Sequence, residues 1–198
     1  MGLSLEVLSE ARAISVATLE MYGVHWENDD GDYNVRVPFP NKNGIWYERK
    51  MLAPGVPANK RQKVLSPSGS SPHLYNPARL GPNAGLLFFC EGEYDTLSVL
   101  DCGWDAIGTQ GTGTFNKTWA RLFVGSTNVI AFDGDAAGRK AAFELQSIFR
   151  DLGNNAHILD VPDGRDLNDL HQDDELEEFL WRFVKDNNLL DDYTDTDG

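Results

Sequence analysis

The sequence contains little cysteine and no long apolar run, and each absence excludes a class of protein. Its 198 residues include two cysteines, Cys90 and Cys102. Two are too few for a four-cysteine zinc site, so we expect reduced thiols in the core. No apolar stretch approaches the roughly 20 residues that a membrane-spanning helix needs. The N-terminus lacks the basic start and apolar centre of a signal peptide, which favours a cytoplasmic setting.

Two common nucleotide-binding motifs are also missing. The chain has neither the G-x-x-x-x-G-K-S/T of the P-loop nor the dinucleotide-binding G-x-G-x-x-G. The glycine-rich stretch Gly111–Gly113 matches neither pattern, so we do not expect an ATP-driven motor. The histidines are scattered without metal-ligand spacing, and we expect ordinary structural or surface roles for them. They are His25, His73, His157 and His171.

Positive charge is scarce overall but concentrated in one segment. The net charge is −14, and acidic residues dominate from Asp160 onward. Between residues 36 and 79 a single acid, Glu48, faces eight bases. The bases are Arg36, Lys42, Arg49, Lys50, Lys60, Arg61, Lys63 and Arg79. Because electrostatic fields act over about a Debye length, roughly 8–10 Å, such a segment can bind phosphate even in an acidic protein.

Aromatic residues lie among these bases, at Trp46, Tyr47 and Tyr75. Stacking on aromatic rings, combined with phosphate pairing, is how many proteins hold single-stranded nucleic acid. The combination therefore favours contact with nucleic acid. A solvated basic face is the alternative that composition alone leaves open.

Hydrophobic patterning predicts two regions of different architecture. The first contains a helix or helical pair over Leu5–Tyr22, then a hairpin with strands Asn34–Pro40 and Ile45–Leu52. After Gly85, four predicted strands alternate with helices, which indicates a parallel sheet with right-handed crossovers. The strands are Leu86–Cys90, Ala106–Thr109, Asn128–Phe132 and Ala156–Val161, and the helices are Thr96–Cys102, Asn116–Phe123, Ala136–Leu152 and Glu175–Lys185.

Acidic residues follow three of these four strands. Glu91 follows the first, Asp133 and Asp135 follow the third, and Asp166 follows the fourth. An isolated acid of this kind is often a turn former or a helix cap. Because the carboxyl ends of parallel strands share one edge of the sheet, we expect the four acids to converge. Crowded carboxylates call for a cation, and a hard cation such as Mg²⁺ suits phosphoryl or nucleotidyl transfer.

Three motifs, in this order and spacing, resemble those of the Toprim domain, which DnaG-type primases, topoisomerases and some nucleases share. The motifs are Glu91–Asp95, Asp133–Gly138 and Asp166–Asp169. Three earlier segments look like the region that precedes Toprim in DnaG-type primases. They are Arg36–Pro40, Lys63–Pro67 and Leu74–Tyr75. The form of Arg165–Asp169 is similar to that of phage and plasmid primase-helicases.

The resemblance implies a particular α/β fold. We expect a Toprim, Rossmann-like parallel sheet flanked by helices, with a small N-terminal α+β basic subdomain. On this basis we divide the chain into a primase-like basic subdomain at 1–83, a Toprim catalytic domain at 84–188 and an acidic disordered tail at 189–198.

The resemblance also implies roles for individual residues, carried over by matching position. The implied catalytic residues are Glu91, Asp133 and Asp135. The implied ligands of Mg²⁺ (or Mn²⁺) are Glu91, Asp95, Asp133, Asp135 and Asp166, with Asn168 and Asp169 in support. The implied contact with nucleotide or template phosphate is Lys63. From the basic segment we expect Arg49, Lys50, Arg61 and Arg36 to be further nucleotide and DNA contacts.

The implied function is that of a DNA primase catalytic core, which synthesises short RNA primers during phage or plasmid DNA replication. Its substrates would be ribonucleoside triphosphates paired on single-stranded DNA, in the cytoplasm of a bacterial or phage-infected cell. The chain has no room for a zinc-binding domain, so we expect separate partners for start-site selection and for helicase activity, and no membrane. A Toprim-type metal-dependent nuclease and a non-catalytic nucleic-acid-binding replisome module are the alternatives.

Overall fold

The computed structural model describes residues 4–28, 31–39, 47–57, 62–80, 85–111 and 113–190. Within these ranges the chain forms six α-helices and two four-stranded β-sheets. Across the same ranges, no helix has the length and apolar character needed to cross a bilayer. Both cysteines are free thiols, in agreement with the prediction.

The N-terminal region combines a pair of helices with an antiparallel sheet. Helices α1 and α2 precede the sheet, whose strands follow the order β1-β2-β3-β4. These elements are α1 (Leu5–Arg12), α2 (Val16–Met21), β1 (His25–Trp26), β2 (Val35–Phe39), β3 (Tyr47–Met51) and β4 (Val64–Leu65). The helices are separate because Ala13 adopts a left-handed conformation with φ 56°, and Ser15 then caps α2 through its side chain. The predicted helical pair and hairpin are confirmed.

The second region is built on a parallel sheet with strand order β6-β5-β7-β8. The strands are β5 (Leu86–Cys90), β6 (Ala106–Gly108), β7 (Thr127–Ala131) and β8 (Asn155–Ile158). The helices are α3 (Glu93–Asp101), α4 (Ala136–Asp151), α5 (Leu167–Gln172) and α6 (Leu176–Asp186), with 3₁₀ turns at Pro77–Arg79 and Lys117–Phe123. This arrangement confirms the predicted α/β fold with a helix-flanked parallel sheet.

Helices cover both faces of the parallel sheet, so its central strands are apolar on both sides. On β5, Phe88 and Cys90 face a core that includes Leu170 of α5 and Leu180 of α6. The alternate residues Leu87 and Phe89 belong to a second core, with Leu145 and Phe149 of α4. A third core lies between the N-terminal helices and the antiparallel sheet and includes Leu97 of α3, which joins the two regions.

The structure differs from the prediction at several element ends. Helix α3 begins at Glu93 rather than Thr96, directly after Gly92, with two acids in the first turn, where the helix dipole favours them. Helix α5 occupies a segment that we had interpreted only as a motif. The predicted boundary at 83/84 falls outside the described residues, so the domain division stays a prediction. Leu189, assigned to the tail, is buried, and residues 191–198 lie outside the described part.

Candidate functional site

The acids that follow β5, β7 and β8 come together at the carboxyl edge of the parallel sheet. The turn after β7 is tied to the turn before α5 by two backbone hydrogen bonds. Gly134 N donates to Arg165 O at 2.8 Å, and Gly164 N donates to Gly134 O at 2.8 Å. A side chain at Gly134 would collide with Pro162 O, since a Cβ would lie 1.9 Å from it. Gly134 therefore lets the second and third motifs approach each other.

The first motif, Glu91–Asp95, follows β5 and lies at the same edge of the sheet. The Glu91 carbonyl oxygen accepts hydrogen bonds from Thr109 Oγ1 at 2.9 Å and from Gly111 N at 3.0 Å. The glycine-rich stretch thus lies beside Glu91. Asp95, one turn into α3, is buried, and its Oδ1 accepts a hydrogen bond from Asn168 N at 3.2 Å. We call Glu91, Asp95, Asp133 and Asp166 the acid edge.

Two of the predicted ligands also cap helices. Asp135 Oδ1 accepts from Gly138 N at 2.7 Å at the start of α4. Asp166 and Asp169 form a capping box at the start of α5, with Asp169 N donating to Asp166 Oδ1 at 2.7 Å and Asp166 N to Asp169 Oδ2 at 3.2 Å. The cap that sequence leaves open as an alternative is therefore real for Asp135 and Asp166. The capping hydrogen bonds fix the positions of both carboxylates.

The carboxylates of the acid edge strongly affect one another's ionisation. Burial raises the pKa of Asp133 to about 7, and the charges of Glu91 and Asp166 add to this effect. Burial also raises the pKa of Asp95 well above its ordinary value, with further contributions from Asp166, Asp133 and Glu91. The pKa of Asp166 is raised too, chiefly by burial. Because like charges crowd a partly buried space, a divalent cation bound by these oxygen atoms would relieve their repulsion.

Asn168 connects the acid edge to the N-terminal helices. Its side chain is buried, and its Nδ2 donates to Ser98 Oγ at 2.9 Å and to Arg12 O at 2.8 Å. Its backbone N–H holds Asp95. The described contacts make Asn168 a structural support of the site.

A cleft of about 310 Å³ opens beside the acid edge, between the two regions of the chain. Two basic and three acidic residues are among those that line it. The bases are Arg12 and Lys63, and the acids are Glu93, Asp95 and Asp166. Lys63 is the one predicted phosphate contact among the described residues that lines this cleft.

Other predicted phosphate contacts lie elsewhere. Arg49 is 9% exposed and is paired with the buried Glu93, while its Nε donates to Ser66 Oγ at 3.1 Å. Arg36 is 1% exposed, and its Nε donates to Glu27 Oε2 at 3.0 Å. Both guanidinium groups are thus buried in ion pairs rather than presented at the surface, and contact of Arg36 and Arg49 with nucleic acid stays a prediction.

Lys50 lies on the other face of β3. Lys50 follows Arg49 on β3, and successive residues of a strand face opposite sides. Since Arg49 faces Glu93 of α3, Lys50 faces away, and it lines a different cavity with Tyr33 and Glu48. Arg61 lies outside the described residues.

Arg12 is the site residue that sequence reasoning missed. Its guanidinium carbon lies 4.3 Å from the centre of the Tyr94 ring, and its Nη1 donates to Asn168 Oδ1 at 3.3 Å. Its charge lowers the pKa of Asp166, opposing the effect of burial. A basic residue in the last turn of a helix is ordinary, so nothing in the sequence marked Arg12 as part of a site.

Comparison with known proteins agrees with this geometry. Residues 88–171 match a family described as Toprim-like. The Gene 57 protein of Mycobacterium phage D29 is 32% identical over 111 residues, covering 56% of this chain and 70% of that protein. The DNA primase of Pseudomonas putida is 33% identical over 125 residues, covering 61% of this chain and 19% of the primase. The DNA primase of Geobacillus stearothermophilus is 25% identical over 171 residues, covering 80% of this chain and 29% of that primase.

Solved primase structures share the fold. The primase fragment of the bacteriophage T7 primase-helicase protein has a TM-score of 0.70 at 22% identity, covering 88% of this chain and 72% of that one. The zinc-binding and RNA polymerase domains of Aquifex aeolicus primase have a TM-score of 0.70 at 17% identity, and the match covers 90% of this chain and 54% of that one. At such identities the likeness shows the fold alone.

A parallel sheet with three acidic motifs at its carboxyl edge defines a protein of the Toprim class. The chain belongs to the Toprim primase-type proteins, as its motifs indicate. It spans 70% of the phage protein but only 19% and 29% of the two DNA primases.

Proposed function

We propose that this chain is the catalytic core of a DNA primase, which joins ribonucleotides on single-stranded DNA. The observation that carries the proposal is the cleft between the acid edge and the N-terminal region. This cleft is lined by the acids Glu93, Asp95 and Asp166 together with Arg12 and Lys63, and Asp133 lies close to Asp95. Carboxylates that hold metal ions, next to cations that hold phosphates, are what nucleotidyl transfer requires.

The predicted acids and Lys63 have roles in the proposed reaction. The acid edge fits Mg²⁺ or Mn²⁺, because its donors are carboxylate oxygens and their repulsion is relieved by a cation. Glu91, Asp95, Asp133, Asp135 and Asp166 would hold the metal. Bound metal neutralises the charge that develops on the attacking and leaving oxygens.

The remaining steps belong to Glu91 of the acid edge and to basic side chains of the cleft. Glu91 accepts the proton of the attacking 3′-hydroxyl as general base. Arg12 pairs with the triphosphate and orients its α-phosphate toward that hydroxyl, and pyrophosphate leaves as the new bond forms. Lys63 contacts a phosphate of the template strand. Because the Arg12 guanidinium is held by Tyr94 and Asn168, its position is set before the nucleotide arrives.

The proposal extends to partners and setting. The substrates are a single-stranded DNA template and ribonucleoside triphosphates, and the setting is phage or plasmid replication in the bacterial cytoplasm. A separate replicative helicase and a zinc-binding module for start-site selection complete the assembly. The likeness to a phage protein and to the primase part of a primase-helicase supports this context.

The proposed activity can be tested without a start-site module. A template annealed to a short ribonucleotide primer, labelled ribonucleoside triphosphates and Mg²⁺ isolate the extension step. We expect wild type and the exposed control Asp151→Asn to extend the primer, and Asp133→Asn to lose at least a hundredfold in rate. Cleavage of the DNA that depends on Asp133, without extension, would indicate the nuclease. Strand binding that survives Asp133→Asn, with neither reaction in wild type, would indicate the non-catalytic module.

A further inference from the structure

A second group of potential metal ligands lies on the antiparallel sheet, with no member among the residues that line the cleft. His25 and Glu27 stand two residues apart at β1, which places them on one face of the strand. Glu48 approaches from β3. His25 Nε2 lies 3.6 Å from Glu27 Oε1 and 3.4 Å from Glu48 Oε1. One ligand atom from each residue lies within 4.8 Å of the other two.

The other ring nitrogen of His25 determines what its Nε2 can do. His25 Nδ1 lies 3.1 Å from Gly23 O. A carbonyl oxygen only accepts hydrogen bonds, so Nδ1 carries a proton. Nε2 then presents either a lone pair or a second proton to the two carboxylates. A lone pair between two carboxylate oxygens is repulsive unless a cation sits among them.

The two separations can be compared with typical hydrogen-bond and metal-site geometry. Hydrogen bonds between an imidazolium and a carboxylate are short, about 2.7–2.9 Å. Both separations here are longer. A tetrahedral Zn²⁺ with ligand bonds of about 2.0–2.1 Å keeps its ligand atoms roughly 3.3–3.4 Å apart. The observed 3.4 and 3.6 Å are close to the edges of such a tetrahedron.

A buried residue holds one of the glutamates in place. Arg36 is 1% exposed and is the cross-strand partner of His25. Its Nε donates to Glu27 Oε2 at 3.0 Å, which turns Glu27 Oε1 toward His25. Hydrogen bonds that fix a ligand from behind are typical of metal sites. The Gly23 carbonyl therefore orients His25 Nε2, and Arg36 orients Glu27 Oε1, toward the shared site.

We propose that His25, Glu27 and Glu48 form a binding site for Zn²⁺ that joins β1 to β3 across β2. A nitrogen ligand favours Zn²⁺ over Mg²⁺, which prefers oxygen alone. The three side chains are about 40% exposed, so water can fill the fourth position. The ion clamps the two-residue strand β1 onto the sheet. This site does not depend on the proposed primase activity.

Cobalt provides the test, because Co²⁺ replaces Zn²⁺ and absorbs visible light strongly in four-coordinate sites. The full chain, without a histidine tag and freed of metal with a chelator, is titrated with Co²⁺ in excess Mg²⁺, which saturates the acid edge. We expect an absorption that saturates at one equivalent and that Zn²⁺ removes. His25→Gln and Glu48→Gln should weaken Co²⁺ binding at least tenfold, while His73→Gln and Asp133→Asn should leave it unchanged.

A second measurement keeps the proposal testable if one variant folds poorly. Nitrogen-15 NMR of the wild-type His25 ring distinguishes an imidazolium, a free lone pair and a metal-bound Nε2. We expect Zn²⁺ to move the Nε2 signal while Nδ1 stays protonated. An imidazolium signal that Zn²⁺ does not change, or a cobalt spectrum that survives Glu48→Gln, would overturn the proposal.

Discussion

At the scale of single residues, ionisation of Asp133 in the acid edge affects the stability of the folded protein. Its pKa is raised to about 7, whereas an ordinary aspartate has a pKa of about 3.9. The folded state therefore binds this proton more tightly than the unfolded state does. In the metal-free protein, the stability that the proton contributes is fully present below about pH 4 and is lost as the pH rises through about 7.

Asp133→Asn should remove this penalty, because the amide carries no charge at any of these pH values. Without metal at pH 8, we expect the variant to be more stable than wild type by on the order of 1 kcal/mol, a figure reduced for the solvent screening of a half-exposed group. The difference should vanish near pH 4. Urea unfolding across the pH range measures it, with Asp151→Asn as control, and a variant less stable than wild type at pH 8 would contradict the expectation.

Gly134 offers a second test at this scale. In Gly134→Ala the new methyl would lie 1.9 Å from Pro162 O, so one of the two turns must move. We expect a loss of about 2–3 kcal/mol in the free energy of unfolding, together with a weaker response of stability to Mg²⁺. Ala137→Ser, at an exposed position of α4, serves as the control. Gly134→Ala with unchanged stability would mean that the turns are not packed as described.

At the scale of elements, the pair Arg49–Glu93 fastens β3 to the start of α3. Glu93 is 4% exposed, and its pKa is raised by burial in spite of the arginine charge. Removing one member of such a pair leaves a buried charge without its partner, which is more costly than removing both. The pair thus connects the antiparallel sheet to helix α3, which packs on the parallel sheet.

Arg49→Met should therefore reduce the free energy of unfolding by about 3–5 kcal/mol, and adding Glu93→Leu should recover part of that loss. Arg79→Met is a matched control, because Arg79 forms a partly exposed pair with Asp105 at 3.2 Å. We expect the control to cost less than about 1 kcal/mol. Equal costs for the two arginines, measured by urea unfolding, would argue that Arg49 is not part of the core.

At the scale of the whole molecule, sequence patterns predict what depends on strand order and chain direction. Apolar runs followed by Glu91, Asp133 and Asp166 were enough to predict that three motifs meet, because parallel strands end at one edge. The burial and the ion-pair partners of the basic residues could not be predicted from the sequence. Arg36 and Arg49 are buried and pair with Glu27 and Glu93, and no local pattern reveals which acid will pair with which base in the fold.

The same limit applies to the histidines. His25 and Glu27 have no recognisable metal-ligand spacing, and the third member, Glu48, comes from a different strand. Cross-strand register brings such residues together, and register is a property of the folded sheet. Arg12 is a comparable case, since Asn168, its hydrogen-bond partner, lies 156 residues away.

The two faces of the antiparallel sheet lead to a prediction about nucleic acid. Lys63 lines the cleft, while Lys50 faces away from it. On the proposed function, Lys63→Ala should weaken binding of single-stranded DNA and lower the slope of log affinity against log salt by about 1, the effect of one lost phosphate contact. Lys50→Ala should change neither. Fluorescence anisotropy over a salt series distinguishes them, and the reverse result would place the strand on the opposite face.

The bond between Arg12 and Asn168 also bears on how the protein is made. A ribosome synthesises α1 before α5, so Arg12 is made 156 residues before its partner Asn168, which follows only with α5. Contacts between distant parts of a chain form late, because a long loop must close before they stabilise anything. We infer that a nascent chain has no complete cleft until α5 has emerged, because Asp166 and Asn168 line the cleft.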